Sequence, residues 1–474
     1  MKLERADVES LGRLVGQGFS GIENPTVSID SRSIKHGDVF VALRGEKNDG
    51  HEFVKSAFEN GAQLAVVNHL WFEKHGAAFF DKRMLVSEDT LSALQQLARM
   101  YRRKFAVPIV AIGGNSGKTT TKEMTAAVLR STYSVLATEG NLNNHIGVPL
   151  TLFGLRGTTE IAVIEMGMNH AGEMTTLCSI AEPTHGLITN IGKAHIEFFN
   201  SEDAVAEAEG ELFAWLGKTG GSVLVNVDDD QVMKQASRAG EKKFYGVKRP
   251  SIQGVSAGHD VEAEELSMDD KGCVKFRLTM RTGAVEVQLR MSGRHNIYNA
   301  LAAAAVGYNF GVLPERIKDA LENFEINPAL KRMSVSETGG VMLINDTYNA
   351  NPESMRAGLQ TLADMKNTGK KIAVLGDMLE LGKASASEHQ ALGEFITTLK
   401  LDALLTFGTE IKRTSNAATV KETKAHFATK ADLVDALKGI ASRGDAILFK
   451  GSRGMKMEEA FEAMKEHLRV RNEN

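Results

Sequence analysis

Short apolar runs alternate with longer stretches in which apolar residues recur every three or four positions. The runs read as buried strands and the stretches as amphipathic helices. Near the N-terminus, residues 38–43 carry Val39, Phe40, Val41 and Leu43, a mostly buried strand. A polar loop of turn formers follows at 44–51, then a helix and another strand. Residues 90–104 place Leu91, Leu94, Leu97, Ala98 and Tyr101 at helical spacing. From there strands are expected at 109–112, 161–166, 186–190, 222–226 and 243–245, with helices between. Such alternation implies a parallel sheet covered on both faces, with ligands at the carboxyl ends of the strands. Residues 251–291 change to polar alternation (VKFRLTM, AVEVQLRM), which predicts an added antiparallel hairpin. The strand–helix rhythm resumes with runs at 341–345, 371–375, 403–407 and 446–450. The fold class is therefore α/β in three domains: a small α/β domain at 1–83, a central parallel-sheet P-loop domain at 84–313, and a doubly wound, Rossmann-like domain at 314–474.

The most chemically specific stretch is IVAIGGNSGKTTTKE at 109–123. A strand ends in glycines and a helix begins, so backbone N–H groups and the helix dipole meet at one point. Gly114, Asn115, Ser116, Gly117, Lys118, Thr119 and Thr120 form a phosphate cradle. Lys118 would reach the terminal phosphates and the Thr119 hydroxyl would ligate Mg²⁺. Position 112 is Ile, where the full phosphate-loop pattern has glycine, so only the shorter G-x-x-G-K-T form is present. Glu165 ends the strand IAVIE and His195 follows LITNIGKAH; with Thr119 they could hold a cation. Without the phosphate loop, Glu165 reads first as a carboxylate capping its turn and His195 as a satisfied polar residue; the loop beside them favours the cation. Asn144 lies in a loop of asparagines that is either a substrate contact or a cap. Asn296 could cap the alanine-rich helix after it or meet a base. Asp346, Asn349 and Asn351 follow one strand of the last domain; Lys450, Ser452 and Arg453 follow another.

Composition narrows the classes. The 474 residues are 42% hydrophobic and 24% charged, with net charge −4, which argues against general nucleic-acid binding. Two cysteines, Cys178 and Cys273, form neither a disulfide framework nor a CxxC metal motif. A charged start (MKLERADVES) is no signal peptide, and no apolar stretch is long enough to span a bilayer. A cytoplasmic protein is expected.

The stretches GKTTTKE, NNHIGVPLTL, IEMGMNHAGEM, TNIGKAHIEFF, GRHNIYNALAAAA, NDTYNANPESM, VLGDMLELG and KGSRGMKMEE together resemble the Mur ligase family over nearly the whole chain. YNANPESM and VLGDMLELG look like the branch that adds D-Ala-D-Ala. The resemblance implies an ATP- and Mg²⁺-dependent ligase joining D-alanyl-D-alanine to UDP-N-acetylmuramoyl-tripeptide through an acyl phosphate, acting as a monomer. It implies Mg²⁺ ligands at Thr119, Glu165 and His195. It also implies nucleotide contacts at Asn296, Arg332 and Asp346, and UDP-sugar contacts at Ser31, Arg32, Asp49 and His51. Lys450, Ser452 and Arg453 would help form the amino-acceptor side. Glu209 departs from the family: it stands where the others have a lysine carbamylated by CO₂, and would supply a carboxylate in its place. His145 departs too, at a position where an acidic residue is commoner. Another Mur-type or folylpolyglutamate synthase-like ligase, or a nucleotide-switch protein, are the alternatives.

Overall fold

A computed structural model describes residues 2–45, 48–193, 196–199, 201–248 and 259–473. Among these, strands form a two-stranded pair and sheets of five, nine and six strands. Each large sheet is built from one uninterrupted stretch of chain.

The first sheet orders Arg13–Val15, Met84–Ser87, Leu64–Asn68, Val39–Val41 and Val27–Ser28, parallel apart from its first edge. Met84–Ser87 lies inside it, so this unit runs past residue 83. MLVS is completely buried, and the turn that ends it, capped by Asp89, comes only afterwards.

The central sheet runs from Val135–Ala137 through Ile161–Glu165, Ile109–Gly113, His185–Ile188, Ser222–Asn226 and Glu241–Val247 to Val261–Met268, all parallel. Cys273–Met280 and Gly283–Ser292 complete it antiparallel. The expected hairpin is thus preceded by a further strand, Val261–Met268, whose half-exposed alternation resembles its partners'. Ile109–Gly113 sits between the strands that follow it on either side. Its carboxyl end is the topological switch point, where ligands bind in such sheets. The helix Pro314–Glu322 also belongs here, because Ile317 and Leu321 join the apolar cluster under this sheet. The third unit therefore begins later than residue 314.

The third sheet orders Ser334–Thr338, Val341–Asp346, Ala446–Lys450, Lys371–Gly376, Ala403–Phe407 and Thr423–Phe427, with only the first antiparallel. The chain leaves Asp346, returns two places away at Lys371, and fills the gap last with Ala446–Lys450. That gap is a second switch point.

Helix Thr90–Arg102 joins the first two sheets. Leu94, Leu97 and Tyr101 lie in one apolar cluster with Val41, Val66 and Leu85 on one side and Leu152 and Cys178 on the other. The Tyr101 hydroxyl donates to the Leu155 carbonyl at 2.9 Å. The third sheet has its own two clusters, and it meets the central unit through polar contacts and through Ile196, which packs against one of those clusters. Among the described residues, no helix is long and apolar enough to cross a membrane.

Candidate active site

The helix Lys118–Arg130 starts on Gly117, whose φ of 81° is left-handed. A Cβ there would come 2.5 Å from Asn299 Oδ1, and one on Gly114 (φ 115°) would meet Thr189 Oγ1 at 2.3 Å. Glycine is required at both places. The loop is held from the neighbouring strand: Asn190 Oδ1 accepts the Ser116 N–H at 3.0 Å, while Asn190 Nδ2 and Thr189 Oγ1 donate to the Ser116 carbonyl. Lys118 Nζ donates to the Gly114 and Asn115 carbonyls, curled over its own loop. Burial pushes its ammonium below the usual lysine range, against the pull of the Glu209 and Glu165 carboxylates.

Thr119 Oγ1 donates to Glu165 Oε1 at 3.2 Å, and Asn143 Nδ2 donates to the same oxygen at 2.8 Å. Glu165 is 1% exposed, and its Oε2 is buried without a hydrogen-bond partner among the described residues. An orphaned carboxylate oxygen beside a hydroxyl is a costly arrangement for a protein alone and suits a hard cation with oxygen ligands. Glu209 ends the helix Glu202–Glu209, 2% exposed, and its Oε2 accepts the Gly114 N–H at 2.8 Å. His195 lies outside the described residues. Among those described, no three His, Cys, Asp or Glu side chains converge as a metal cage.

A cavity of about 680 Å³ opens between this loop and the third sheet. Asn115, Ser116, Gly117, Lys118, Thr120, Asn144, Glu165 and Asn296 line it from the central unit, and Arg332, Asp346, Asn349, Asn351 and Lys450 line it from the third. Asp346 and Lys450 are register partners on adjacent strands, joined by a 2.5 Å ion pair; Lys450 also donates to the Asn349 carbonyl. The Arg332 guanidinium lies 4.1 Å over the Tyr348 ring, and Arg453 lies 5.6 Å from the same ring. Arg332 is flanked by Lys331 and Met333, both non-glycine residues at positive φ (51° and 48°), a local strain at the join of two units. Ser452 is buried, donating to the Ala350 carbonyl and accepting the Leu379 N–H. Asn351 caps the helix Pro352–Asp364, and its amide Nδ2 reaches Ser116 Oγ at 3.1 Å across the gap.

Other expected contacts are spoken for internally. Asn296 donates to the Ser292 carbonyl and accepts from Asn299. Asn144 Oδ1 takes the Ile146 and Gly147 N–H groups, which is the capping alternative. In the first unit, Asp49 Oδ1 accepts from His51 Nδ1 at 2.5 Å, while His51 Nε2 accepts the Asn68 N–H. Both ring nitrogens are thus committed and the ring is buried against Trp71. Arg32 forms a bidentate pair with Asp30, and Ser31 is buried, its carbonyl accepting from Asn60. None of these four lines the cavity. Asn143, from the loop of asparagines, also lines it, and Thr189, Asn190, His295 and Glu353 enter it without having been expected. His295 faces Asp346 and Lys450 from the central unit, and burial holds its imidazole below the ordinary histidine value.

The family model described as the Mur ligase middle domain matches residues 112–307. The glutamate ligase domain model matches 331–453, and the Mur ligase catalytic domain model matches 25–102. The UDP-N-acetylmuramoyl-tripeptide–D-alanyl-D-alanine ligase of Bacillus subtilis (strain 168) is 36% identical over 91% of this chain and 91% of its own. The crystal structure of MurF from Acinetobacter baumannii superposes with a TM-score of 0.85 at 31% identity, covering 98% of this chain and 99% of that one. MurF ligase from Thermotoga maritima, solved in complex with ADP, gives 0.80 at 28% identity, covering 94% and 99%.

Proposed function

This chain belongs to the Mur ligase family, and from that premise we infer an ATP-dependent ligase that joins D-alanyl-D-alanine to UDP-N-acetylmuramoyl-tripeptide. The observation that carries the reading is the shared cavity: the phosphate loop forms one wall and the strand ends holding Arg332, Asp346 and Lys450 form the other.

The phosphate loop holds the ATP phosphates on its N–H groups, and Lys118 swings from its own carbonyls onto the terminal phosphate. The tripeptide carboxylate takes the γ-phosphoryl group, giving an acyl phosphate and ADP. The dipeptide amine then displaces phosphate and forms the amide. Thr119 and Glu165, joined by His195, would hold Mg²⁺, which when bound offsets charge on the transferring group. Glu209 brings its carboxylate to the loop without any modification, in place of a carbamylated lysine. Arg332, lifted over Tyr348, closes on the nucleotide from the third unit. Asn349, Asn351, Ser452 and Arg453 shape the acceptor side near Lys450, and Ser31, Arg32, Asp49 and His51 shape the UDP-sugar side. Closure of the third unit keeps water from the acyl phosphate, which would otherwise hydrolyse. A cytoplasmic monomer completes the reading.

Phosphate release with UDP-N-acetylmuramoyl-tripeptide, with and without D-Ala-D-Ala, tests it. Release dependent on both substrates is expected; release indifferent to both would indicate a nucleotide switch. Running lysine- and diaminopimelate-containing tripeptides in parallel assigns the third residue.

A further inference from the structure

Two residues that line the cavity each carry a buried polar atom with no hydrogen-bond partner among the described residues: Asn115 Nδ2, a donor, and Glu353 Oε2, an acceptor. They flank Gly192, where a Cβ would come 2.7 Å from Glu353 Oε1 and 3.2 Å from Asn115 Nδ2. Glu353 stands in the first turn of the helix Pro352–Asp364, where the helix dipole favours a carboxylate. Its Oε1 accepts the Lys193 backbone N–H at 3.0 Å, which fixes the side chain. The Lys193 ammonium is engaged elsewhere, donating to Glu388 at 2.8 Å. So one carboxylate oxygen is pinned and the other is held ready, beside the phosphate loop and on the unit opposite it. Leaving such an oxygen unpaired is unfavourable, the more so for a charged group, until a donor arrives.

We propose that Glu353 receives the ammonium of the incoming amine and acts as the general base for its attack. This rests on the ligase reading above. One ammonium proton passes to Glu353 Oε2. The freed nitrogen lone pair attacks the acyl-phosphate carbon, the C–N bond forms, and the bond from that carbon to the bridging oxygen breaks, its electron pair leaving on phosphate. The second proton leaves nitrogen for the departing phosphate, and Glu353 returns its own to solvent. Asn115 Nδ2, also close to Gly192, offers a donor where the acyl oxygen gains charge.

The test uses full-length Glu353→Gln and two acceptors. D-Ala-D-Ala arrives as an ammonium at neutral pH; hydroxylamine arrives uncharged and traps the acyl phosphate as a hydroxamate. At pH 7 the variant is expected to lose about 100-fold or more with the dipeptide, the usual contribution of a positioned base. Hydroxamate formation should stay within about twofold of wild type. The dipeptide defect should shrink as pH approaches the α-amine value of about 8, and Glu353→Asp should fall between. Equal loss with both acceptors in a variant that still binds ADP would overturn the proposal in favour of a merely structural role. A dipeptide rate like wild type would also overturn it. If wild type itself makes no ATP- and tripeptide-dependent hydroxamate, the ligase reading fails, and the proposal falls with it.

Discussion

Lys118 is the side chain with most at stake, because its charge is partly buried and its present partners are only carbonyls of its own loop. Lys118→Ala removes no core packing, so thermal melting should stay within a few degrees of wild type. Product formation should drop by a factor of about 10³, as for loss of a preorganised charge partner; near-normal turnover would contradict the whole loop assignment. Glu209 supports a different forecast. Its carboxylate already bonds the Gly114 N–H, so nothing has to be added to the side chain before it reaches the loop. Activity should therefore be unchanged by exhaustive removal of bicarbonate, and recovery on adding bicarbonate back would refute this. The residues legible in the sequence were those placed by their own strand: Glu165, Asp346 and Lys450 each end an apolar run. Asn190, His295 and Glu353 were not, because each gains its role from a segment far away in the chain that folding brings alongside.

Elements show the same division. Ile109–Gly113, Ser222–Asn226 and Ala446–Lys450 are buried at every position and read directly as apolar runs. Val135–Ala137, Ser334–Thr338 and Thr423–Phe427 are edge or near-edge strands with half-exposed faces. Stretches such as SVSET and TKAHF carry no continuous apolar signal, and pairing with a neighbour decides them. The helix Ser385–Leu399 holds a pH-sensitive joint. His389 is fully buried; its Nδ1 donates to the Ser385 carbonyl at 2.8 Å and its Nε2 accepts the Met378 N–H at 3.1 Å. Burial lowers its pKa below the ordinary 6.5, outweighing the pull of Asp377 and Glu410. The unfolded chain therefore binds the proton first. The stability from neutral His389 is complete above pH 6.5 and is lost as pH falls below it. Melting temperature should decline between pH 7 and pH 5, and His389→Gln should flatten that decline while lowering the starting value.

Across the molecule, one apolar cluster runs through the first two units, whereas the third is attached by hydrogen bonds, ion pairs and the apolar contact of Ile196. The Lys193–Glu388 pair is the clearest of these, with Lys193 41% exposed and Glu388 12%. Exposed pairs contribute up to about 1 kcal/mol, so Glu388→Gln should raise KM for the dipeptide by no more than about fivefold with kcat little changed. Small-angle scattering of the ADP-bound enzyme should show a larger radius of gyration in that variant; an unchanged radius would mean that the pair plays no part in closure. Because each sheet is drawn from one unbroken stretch of chain, translation delivers the enzyme in working order. The first two units can fold while the ribosome is still making the third, as domains generally do. At that stage the phosphate loop is finished, but Arg332, Asp346, Glu353 and Lys450 have not emerged. On the ligase reading, an unfinished or prematurely released chain lacks the residues that close over the nucleotide, so a chain truncated before residue 332 is expected to show no tripeptide-dependent phosphate release.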